Sequence, residues 1–397
     1  MPFMRSAFAG LLEPLDRRVV VRAVQAHDGD HGVGGGDNAW TCERHLKTLL
    51  FAQFAGLKSL REIVEGLGAH SASFYHLNLR APCRSTLSDA NRERPAEVFR
   101  DIATALIPVA AGALRQEGEA LIRLLDSSPI ALKGNRFAWA QANARTRGLK
   151  LHLLYDPRQS RPVWFEVTSA KVDDVVAGRA VPLEPGATYV FDKGYTDYRW
   201  WSQILAAGAF FVTRRKRNAH CRDLCEAAAE GAQTEGIRFD RRLKIGHRRP
   251  RGKAPTNPLY QVSLREIVVA RPDKAEPLYL LTNDFERPAA EIARLYKERW
   301  DIELLFKWIK QNLKIRSFLG RSENAVKIQI YVALIAFMLL RILHQTAARG
   351  FKASTALLLT QLKIALFSPF NLRKIAKPPP KPPWLRPPNP QPCLAFQ

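Results

Sequence analysis

The order of short apolar runs in the middle of the chain constrains its fold more than any other feature. From about residue 118, runs rich in β-branched and aromatic residues alternate with polar and glycine-containing turns, which is typical of β-strands. Residues Asp197 to Ala207 have the pattern of a helix. The predicted strands are IRLLD from Ile122, LKLHLLYD from Leu149, PVWFEVTSA from Pro162, TYVFD from Thr188 and FFVTRRK from Phe210. Three strands, then a strand, a helix and a strand, predict an α/β fold.

A long helix that carries Glu303 follows later in the chain. The interval from Asp192 to Glu303 is longer than this fold needs to connect its last strand to its helix. The surplus contains runs with β character, YQVSLREIVVA and PLYLLTNDF, and frequent turn residues. The element order therefore predicts an RNase H-like (retroviral-integrase-like) core with a β-rich insertion. The predicted divisions are residues 1–115, 116–213, 214–286, 287–350 and 351–397.

Two acids follow predicted strands in a similar way. Asp126 follows an apolar run and precedes two serines and a proline, and Asp192 follows TYVF and precedes glycine by two positions. Acids at strand ends meet at the sheet edge where α/β folds bind ligands, although turn formation or helix capping would explain either acid equally well. With Glu303 they form a set of three carboxylates, and such sets bind hard divalent cations such as Mg²⁺.

The segment YKERWDIELLFKWIK is predicted to be a helix with a polar stripe. At about 100° per residue, Tyr296, Arg299, Glu303 and Lys310 lie in a stripe roughly 60° wide. Ion pairs on a solvated helix face are the common explanation of such a stripe. The two upstream aspartates favour a site for a metal ion beside a phosphate.

Together these residues resemble the DDE transposases, in particular the bacterial insertion-sequence transposases of family four. The family signature is tyrosine, two residues, arginine, three residues, glutamate, six residues and lysine. It occurs here without a spacing error at Tyr296, Arg299, Glu303 and Lys310. The segment DKGY from Asp192 resembles the family pattern around the second acid, and LLDSSPI is similar to the context of the first.

The resemblance covers roughly residues 40–350, with one departure. Some relatives carry a tryptophan in the insertion that stacks on a flipped base, whereas this chain has none between Trp201 and Trp300. The resemblance implies a DNA transposase with a helical N-terminal DNA-binding domain. It also implies two Mg²⁺ ions, for which Mn²⁺ can substitute, double-stranded DNA as partner (transposon ends and target), and a homodimer in the synaptic complex.

We assign roles within this scheme as hypotheses. Asp126 and Asp192 are expected to be metal ligands, with Asp192 bridging both ions and Glu303 completing the second site. The cations and the phenol of the stripe are expected to grip phosphates of DNA. These residues are Tyr296, Arg299, Lys307 and Lys310. Other nearby acids are Asp173 and Asp174, for which surface solvation is the default interpretation, and Asp197, Glu298 and Asp301.

Two rival functions remain open at this stage. Another metal-dependent nuclease of the RNase H-like class, such as a resolvase or repair enzyme, would use the same acids without the Tyr-Arg-Lys grip. A transposase-derived DNA-binding protein without catalytic activity is the second, and the intact acids argue against it.

The charge of the chain favours an anionic partner. Lys plus Arg number 61 against 37 Asp plus Glu, a formal net charge of +24. The run RRLKIGHRRPRGK from Arg241 to Lys253 is dense in cations and contains no acid. Its proline and glycines favour a loop along DNA over a membrane-binding helix. The residues predicted to contact DNA here are Arg241, Arg242, Arg248, Arg249 and Arg251.

Residues 40–115 are rich in helix formers with apolar residues three and four positions apart. Ser85 and Thr86 are predicted to cap a helix that carries Arg92 and Arg94. This pattern is compatible with a helix-turn-helix docked on DNA and equally with a plain helical bundle. The resemblance favours DNA binding, with Arg92 as a contact residue.

Five scattered cysteines suit a reducing cytosol, and a zinc site at His220, Cys221 and Cys225 is the disfavoured alternative. The N-terminal apolar run is interrupted by acids, so no export signal is predicted. The apolar run Ile328 to Leu343 is expected to be a buried core helix, too short to span a bilayer. We therefore expect a cytoplasmic, nucleoid-associated bacterial protein with no membrane partner. A proline-rich, extended tail is predicted from Lys374.

Overall fold

The computed structural model describes residues 6–36, 39–111, 120–141, 147–226, 236–248, 256–272, 274–313, 318–347 and 355–367. Helices precede the sheet in the chain. They are α1 (Ala7–Leu12), α2 (Arg17–Ala26), α3 (Cys42–Ala55), α4 (Leu60–Ala69), α5 (Ser71–Phe74), α6 (Arg84–Glu93) and α7 (Ala96–Val109). The later helices are α8 (Asp174–Arg179), α9 (Tyr198–Ala206), α10 (Ala289–Glu298), α11 (Trp300–Asn312), α12 (Glu323–Ala347) and α13 (Thr355–Ala365).

The strands of the described residues form one mixed sheet. They are β1 (Ile122–Ala131), β2 (Gly148–Asp156), β3 (Arg161–Ser169), β4 (Thr188–Phe191), β5 (Phe210–Arg214), β6 (Cys221–Glu226), β7 (Ile237–Ile245), β8 (Leu264–Val269) and β9 (Leu278–Thr282). The order in the sheet is β3-β2-β1-β4-β5-β9-β8-β7-β6. Strand β4 pairs in parallel with both β1 and β5, whereas β1, β2 and β3 pair antiparallel. The predicted order of elements along the chain, β1 to β5 with the helix α9 between β4 and β5, is thus confirmed.

Both faces of the central strands are covered, which explains their continuous apolar runs. Because successive side chains of a strand point to opposite faces, Leu124 and Val190 pack in one hydrophobic core with α10, α11 and α12. Leu125 and Phe191 pack in the other, against Trp200 of α9. Because side chains alternate along a strand, the positions of these four residues show to which face each later side chain of β1 and β4 points.

The predicted β-rich insertion extends the core sheet. Strand β9 pairs antiparallel with β5, and β8, β7 and β6 follow outward. Glu266 of β8 is fully buried. Its carboxylate forms ion pairs with Arg215 and with Arg241 of β7, each with 2.6 Å between nitrogen and oxygen. A buried carboxylate is costly without positively charged partners, so Arg215 and Arg241 stabilise the buried Glu266.

Helix α12 is the central helix of the larger core. The stretch Glu323–Thr346 is 24 residues long, and it contains an 18-residue segment with a mean hydropathy of 2.0 that is 89% buried inside the protein. It is therefore long and apolar enough to cross a bilayer, and the expectation that this segment is too short was wrong. The prediction of a buried core helix is confirmed, because helices α3, α6 and α7 pack against it.

The N-terminal helices follow their sequence signals with one exception. Helix α3 begins at the cap Thr41, whose hydroxyl accepts from the Arg44 N–H, and it ends at Gly56 with a φ of 78°. Helix α6 begins at Arg84 with Cys83 at the cap position, where no side chain accepts a capping hydrogen bond. The predicted cap at Ser85 and Thr86 was therefore wrong, since both residues lie inside the first turn.

His45 of α3 predicts an acid-sensitive stability. It is fully buried and contacts the Asn91 Oδ1 atom at 3.1 Å. Burial and the nearby charge of Arg94 lower the pKa of His45 to about 3 from its ordinary value of 6.5. The unfolded chain therefore binds a proton below pH 6.5 that the folded chain rejects, and the free energy of unfolding falls as the pH decreases from 6.5 toward 3.

We expect this loss to approach about 1.4 kcal/mol per pH unit for the single group. The variant His45→Gln keeps an N–H near the Asn91 oxygen and cannot titrate. Chemical unfolding at pH 7 and pH 5 should show that the unaltered protein loses about 2 kcal/mol more than the variant over this interval. Equal losses in the two proteins would contradict a neutral buried His45.

Candidate active site

The parallel pairing of β1 with β4 brings two aspartates together. Leu125 pairs with Phe191, so Asp126 and Asp192 are the next residues of adjacent strands at the same edge of the parallel pairing. By alternation, both follow Leu124 and Val190 toward the face covered by α10 and α11. The carboxylates predicted to be metal ligands therefore share one face of the sheet.

One detail of that prediction was wrong. Asp126 does not lie past the end of a strand, since β1 continues to Ala131 and Asp126 pairs with Leu153 of β2. The antiparallel partner supplies the hydrogen bonds that carry β1 beyond the point where β4 ends. Asp192, in contrast, directly follows β4 as predicted.

The helical signature segment is broken at Arg299. Helix α10 ends at Glu298 and α11 begins at Trp300, and Arg299 between them keeps helical backbone angles of φ −52° and ψ −27°. The predicted polar stripe survives this break. The Arg299 guanidinium donates to Glu303 at 2.6 Å and lies 5.8 Å from the centre of the Tyr296 ring.

Arg299 also connects the helix to the sheet. Its Nη1 atom lies 3.3 Å from Asp126 Oδ2, while its Nη2 atom contacts Glu303 Oε1. One guanidinium thus bridges the acid of β1 and the acid of α11. The pair is mostly buried, with 15% of the Arg299 side chain and 19% of the Asp126 side chain exposed.

Asp192 has its own contacts at the same site. The Tyr296 hydroxyl donates to Asp192 Oδ1 at 3.4 Å, and Arg214 Nη1 lies 3.8 Å from the same oxygen. Burial and the Asp192 carboxylate raise the pKa of Tyr296 to about 12. Tyr296 therefore acts as a neutral hydrogen-bond donor at the pH of a cell.

The Asp126 carboxyl lies in the electrostatic field of the other two acids. Burial raises the pKa of Asp126 to about 6 from 3.8, and the negative charges of Glu303 and Asp192 act in the same direction. The Ser127 backbone N–H, which donates to Asp126 Oδ1 at 2.8 Å, and the Arg299 charge oppose this rise. Like charges held this close need a cation, and in this structure Arg299 supplies it.

The donor set suits a hard divalent cation. Asp192 and Glu303 are 35% and 33% exposed in their side chains, so solvent reaches both carboxylates. Oxygen donors of this kind are those that Mg²⁺ and Mn²⁺ take. Within the described residues, no three His, Cys, Asp or Glu side chains lie close enough to hold an ion as they stand. In this structure Arg299 occupies the position between Asp126 and Glu303.

The other residues predicted to bind DNA lie at several places. Lys307 is exposed on α11 one turn beyond Glu303, and Lys310 is half-buried in the last turn. Arg92 is exposed on α6, where it pairs with Asp89 and Glu93. DNA contact by these three residues stays a prediction.

The basic run after Arg241 begins within β7, so its first residues are strand and not loop. Arg241 pairs with buried Glu266, and Arg242 lies over the ring of Phe285 with 5.0 Å from guanidinium carbon to ring centre. Arg248 is exposed just beyond the strand. Arg249 and Arg251 lie outside the described residues, and DNA contact by all five arginines stays a prediction.

The remaining acids near the site have other partners or surroundings. Asp301 is exposed on α11, Glu298 pairs with Arg158 at 3.2 Å, and Asp197 caps α9. Asp173 is exposed, as its default interpretation expects. Asp174 contradicts that interpretation, because its side chain is only 28% exposed and forms an ion pair with Lys150.

The disfavoured zinc site is not formed in the residues that the structure covers. His220 stacks on His247 with 4.2 Å between ring centres, and Cys221 and Cys225 are thiols that form no disulfide among the described cysteines.

Comparison with known proteins identifies a family for this chain. Residues 117–339 match the family described as "Transposase DDE domain", and residues 4–80 match a domain of unknown function, DUF4372. The chain is 42% identical over 313 residues to the transposase y4zB of Sinorhizobium fredii, covering 78% of this chain and 84% of that protein. It is 26% identical over 266 residues to a transposase for the insertion sequence element IS5377 of Geobacillus stearothermophilus, covering 66% and 67% of the two chains.

A solved structure shares the fold. The chain is similar to the piggyBac transposase in a cryo-EM structure of its synaptic complex with hairpin DNA, with a TM-score of 0.50 and 11% sequence identity. The similarity covers 93% of this chain and 81% of that chain. At this identity the similarity concerns the fold, which includes the sheet that carries Asp126 and Asp192.

Proposed function

The chain belongs to the transposase DDE domain family, and from this premise we propose that it binds the terminal inverted repeats of an insertion sequence, cleaves the ends and joins them to target DNA. One observation carries the proposal. Arg299 bridges Asp126 of β1 and Glu303 of α11, and the Tyr296 hydroxyl from the same helical segment contacts Asp192, which follows the adjacent strand β4.

Asp126, Asp192 and Glu303 are proposed to hold two divalent ions, Mg²⁺ or its substitute Mn²⁺. When bound, such ions neutralise the scissile phosphodiester and activate the attacking oxygen. The chain itself supplies the geometry. The Ser127 N–H orients the Asp126 carboxylate, and the Tyr296 hydroxyl orients that of Asp192.

Arg299 has a second role in this proposal. Its planar guanidinium can form two parallel hydrogen bonds to a phosphate as well as to carboxylates. We propose that Arg299 turns from the carboxylates to a phosphate of the cleaved end when metal and DNA bind. Lys307 and Lys310 on the same helix would add positive charge along that DNA strand.

The partner is proposed to be double-stranded DNA, with the excess of cations supplying the non-specific attraction. The N-terminal helices, with Arg92, and the basic run from Arg241 are proposed to contact the transposon end outside the catalytic centre. Joining two ends would require a homodimer in the synaptic complex, and the site of action would be the nucleoid in the bacterial cytoplasm.

A cleavage assay on the DNA that flanks the reading frame tests the function. Purified protein with Mg²⁺ should nick at the boundaries of the terminal inverted repeats and transfer the 3′ ends to a target plasmid. No cutting should occur with a chelator. Nicking without strand transfer would favour a resolvase or repair nuclease, and specific end binding without metal-dependent nicking would favour a non-catalytic DNA-binding protein.

A further inference from the structure

A second polar cluster lies behind the catalytic strand. Asp174, in the first turn of α8, accepts a hydrogen bond from the Ser127 hydroxyl at 2.9 Å and another from the Lys150 ammonium at 3.1 Å. Lys150 also donates to the carbonyl of Val172 at 2.8 Å, which fixes the approach of α8 to β2. One carboxylate thus ties α8 to both β1 and β2.

The cluster reaches both catalytic aspartates through the backbone. Ser127 follows Asp126, and its N–H donates to Asp126 Oδ1 while its hydroxyl donates to Asp174. On the other strand, Asp192 is followed by a 3₁₀ turn, Lys193–Tyr195, that packs against α8. A Cβ atom added to Gly194 would lie 3.6 Å from Asp174 Oδ2, so the turn passes directly beside this carboxylate.

Asp174 lies on the wrong face to be a metal ligand. Asp126 points to the face covered by α11, and Ser127, as the next residue of β1, points to the opposite face. Tyr195, in the same turn as Gly194, belongs to the core of that opposite face and is 1% exposed. Asp174 therefore acts on the catalytic acids through the residues that follow them.

We propose that Asp174 is a positioning residue that fixes the spacing of Asp126 and Asp192, because it binds the Ser127 hydroxyl and lies on the helix that packs against the 3₁₀ turn after Asp192. This inference rests on the proposed function, because it assumes that the two aspartates bind metal together. Partners that orient metal ligands typically change metal affinity or activity by 10- to 100-fold when they are removed. Because Asp174 acts on Asp126 indirectly, through Ser127, we expect a change in metal affinity near the lower end of this range, about 10-fold.

Direct Mn²⁺ binding to the full-length protein tests the role without relying on cleavage. Electron paramagnetic resonance of unbound Mn²⁺ should show that Asp174→Ala weakens binding about 10-fold. Asp174→Asn, which keeps an oxygen for the Ser127 hydroxyl, should weaken it less. The matched control is Asp173→Asn, which removes the adjacent exposed acid and should bind as the unaltered protein does. Unchanged Mn²⁺ affinity in Asp174→Ala, or an equal loss in Asp173→Asn, would overturn the proposal.

A double-mutant cycle tests the route through Ser127. Ser127→Ala removes the hydroxyl but keeps the N–H that donates to Asp126. If Asp174 acts through Ser127, Ser127→Ala combined with Asp174→Ala should bind Mn²⁺ no more weakly than Asp174→Ala alone. Fully additive losses would overturn this route.

A Glu303→Gln variant in the same titration separates the two proposals. It should lose Mn²⁺ binding if the carboxylates form the metal site. If Glu303→Gln and the unaltered protein bind Mn²⁺ equally, the proposed function fails. If Glu303→Gln loses binding and Asp174→Ala does not, only the positioning role fails.

Discussion

Replacing Glu303 with glutamine should abolish DNA cleavage while DNA-end binding stays within about threefold of the unaltered protein. The amide keeps the size of the side chain but removes the charge that a divalent cation requires, so we expect a loss of at least roughly 1,000-fold in the cleavage rate. The contact with Arg299 Nη2 can persist through the amide oxygen. Single-turnover cleavage of end DNA, with binding measured separately, checks both parts.

The matched control is Asp301→Asn, on the same helix two residues earlier. Asp301 is exposed and lies about 200° around the helix axis from Glu303, so its charge should not be needed. If the two variants lost the same fraction of the cleavage rate, the total charge on α11 would be the cause, and Glu303 would have no specific role as a metal ligand. Normal cleavage by Glu303→Gln would show that the Glu303 carboxylate has no role in cleavage.

The core of the fold was predictable because its signals are local. Strands β1 to β5 show alternating or continuous apolar runs, and the helix α9 between β4 and β5 starts at the cap Asp197. The joining of the insertion to the core sheet was not predictable in this way. It depends on the pairing of Val212 with Thr282, residues far apart in the chain whose local sequences do not encode each other.

Strand and helix ends were less predictable than the elements themselves. The serines and proline after Asp126 suggest that a strand ends there, but pairing with β2 supplies hydrogen bonds up to Ala131. Likewise, the cap signal of Ser85 is a local preference that does not determine where α6 begins. In the case of β1, the neighbouring strand outweighs the local sequence.

The members of the site were predictable, and their contacts only in part. Helical spacing predicted that Tyr296, Arg299 and Glu303 share a face, and the structure confirms it. The bridge from Arg299 to Asp126 joins segments far apart in sequence, so spacing carries no information about it. The burial of Asp174 was not predicted for the same reason, because its partners Ser127 of β1 and Lys150 of β2 lie far from α8 in the sequence.

Replacing Arg299 with alanine should change metal binding and cleavage in opposite directions. In the structure the Arg299 guanidinium is the cation between Asp126 and Glu303. Its removal leaves two carboxylates without their partner, and a divalent ion no longer competes with a fixed positive charge. Mn²⁺ should therefore bind the DNA-free variant about 10-fold more tightly, which corresponds to about 1.4 kcal/mol.

Cleavage by Arg299→Ala should nevertheless fall roughly 100-fold, because the phosphate of the cleaved end loses its two parallel hydrogen bonds. Arg158→Ala is the matched control, since Arg158 forms its ion pair with Glu298, beside the site. It should leave both measurements within about threefold. Weaker Mn²⁺ binding in Arg299→Ala would contradict this prediction and would show that the guanidinium holds the carboxylates in the arrangement that binds the ion. Tighter Mn²⁺ binding together with normal cleavage would show that Arg299 only balances charge and does not hold DNA.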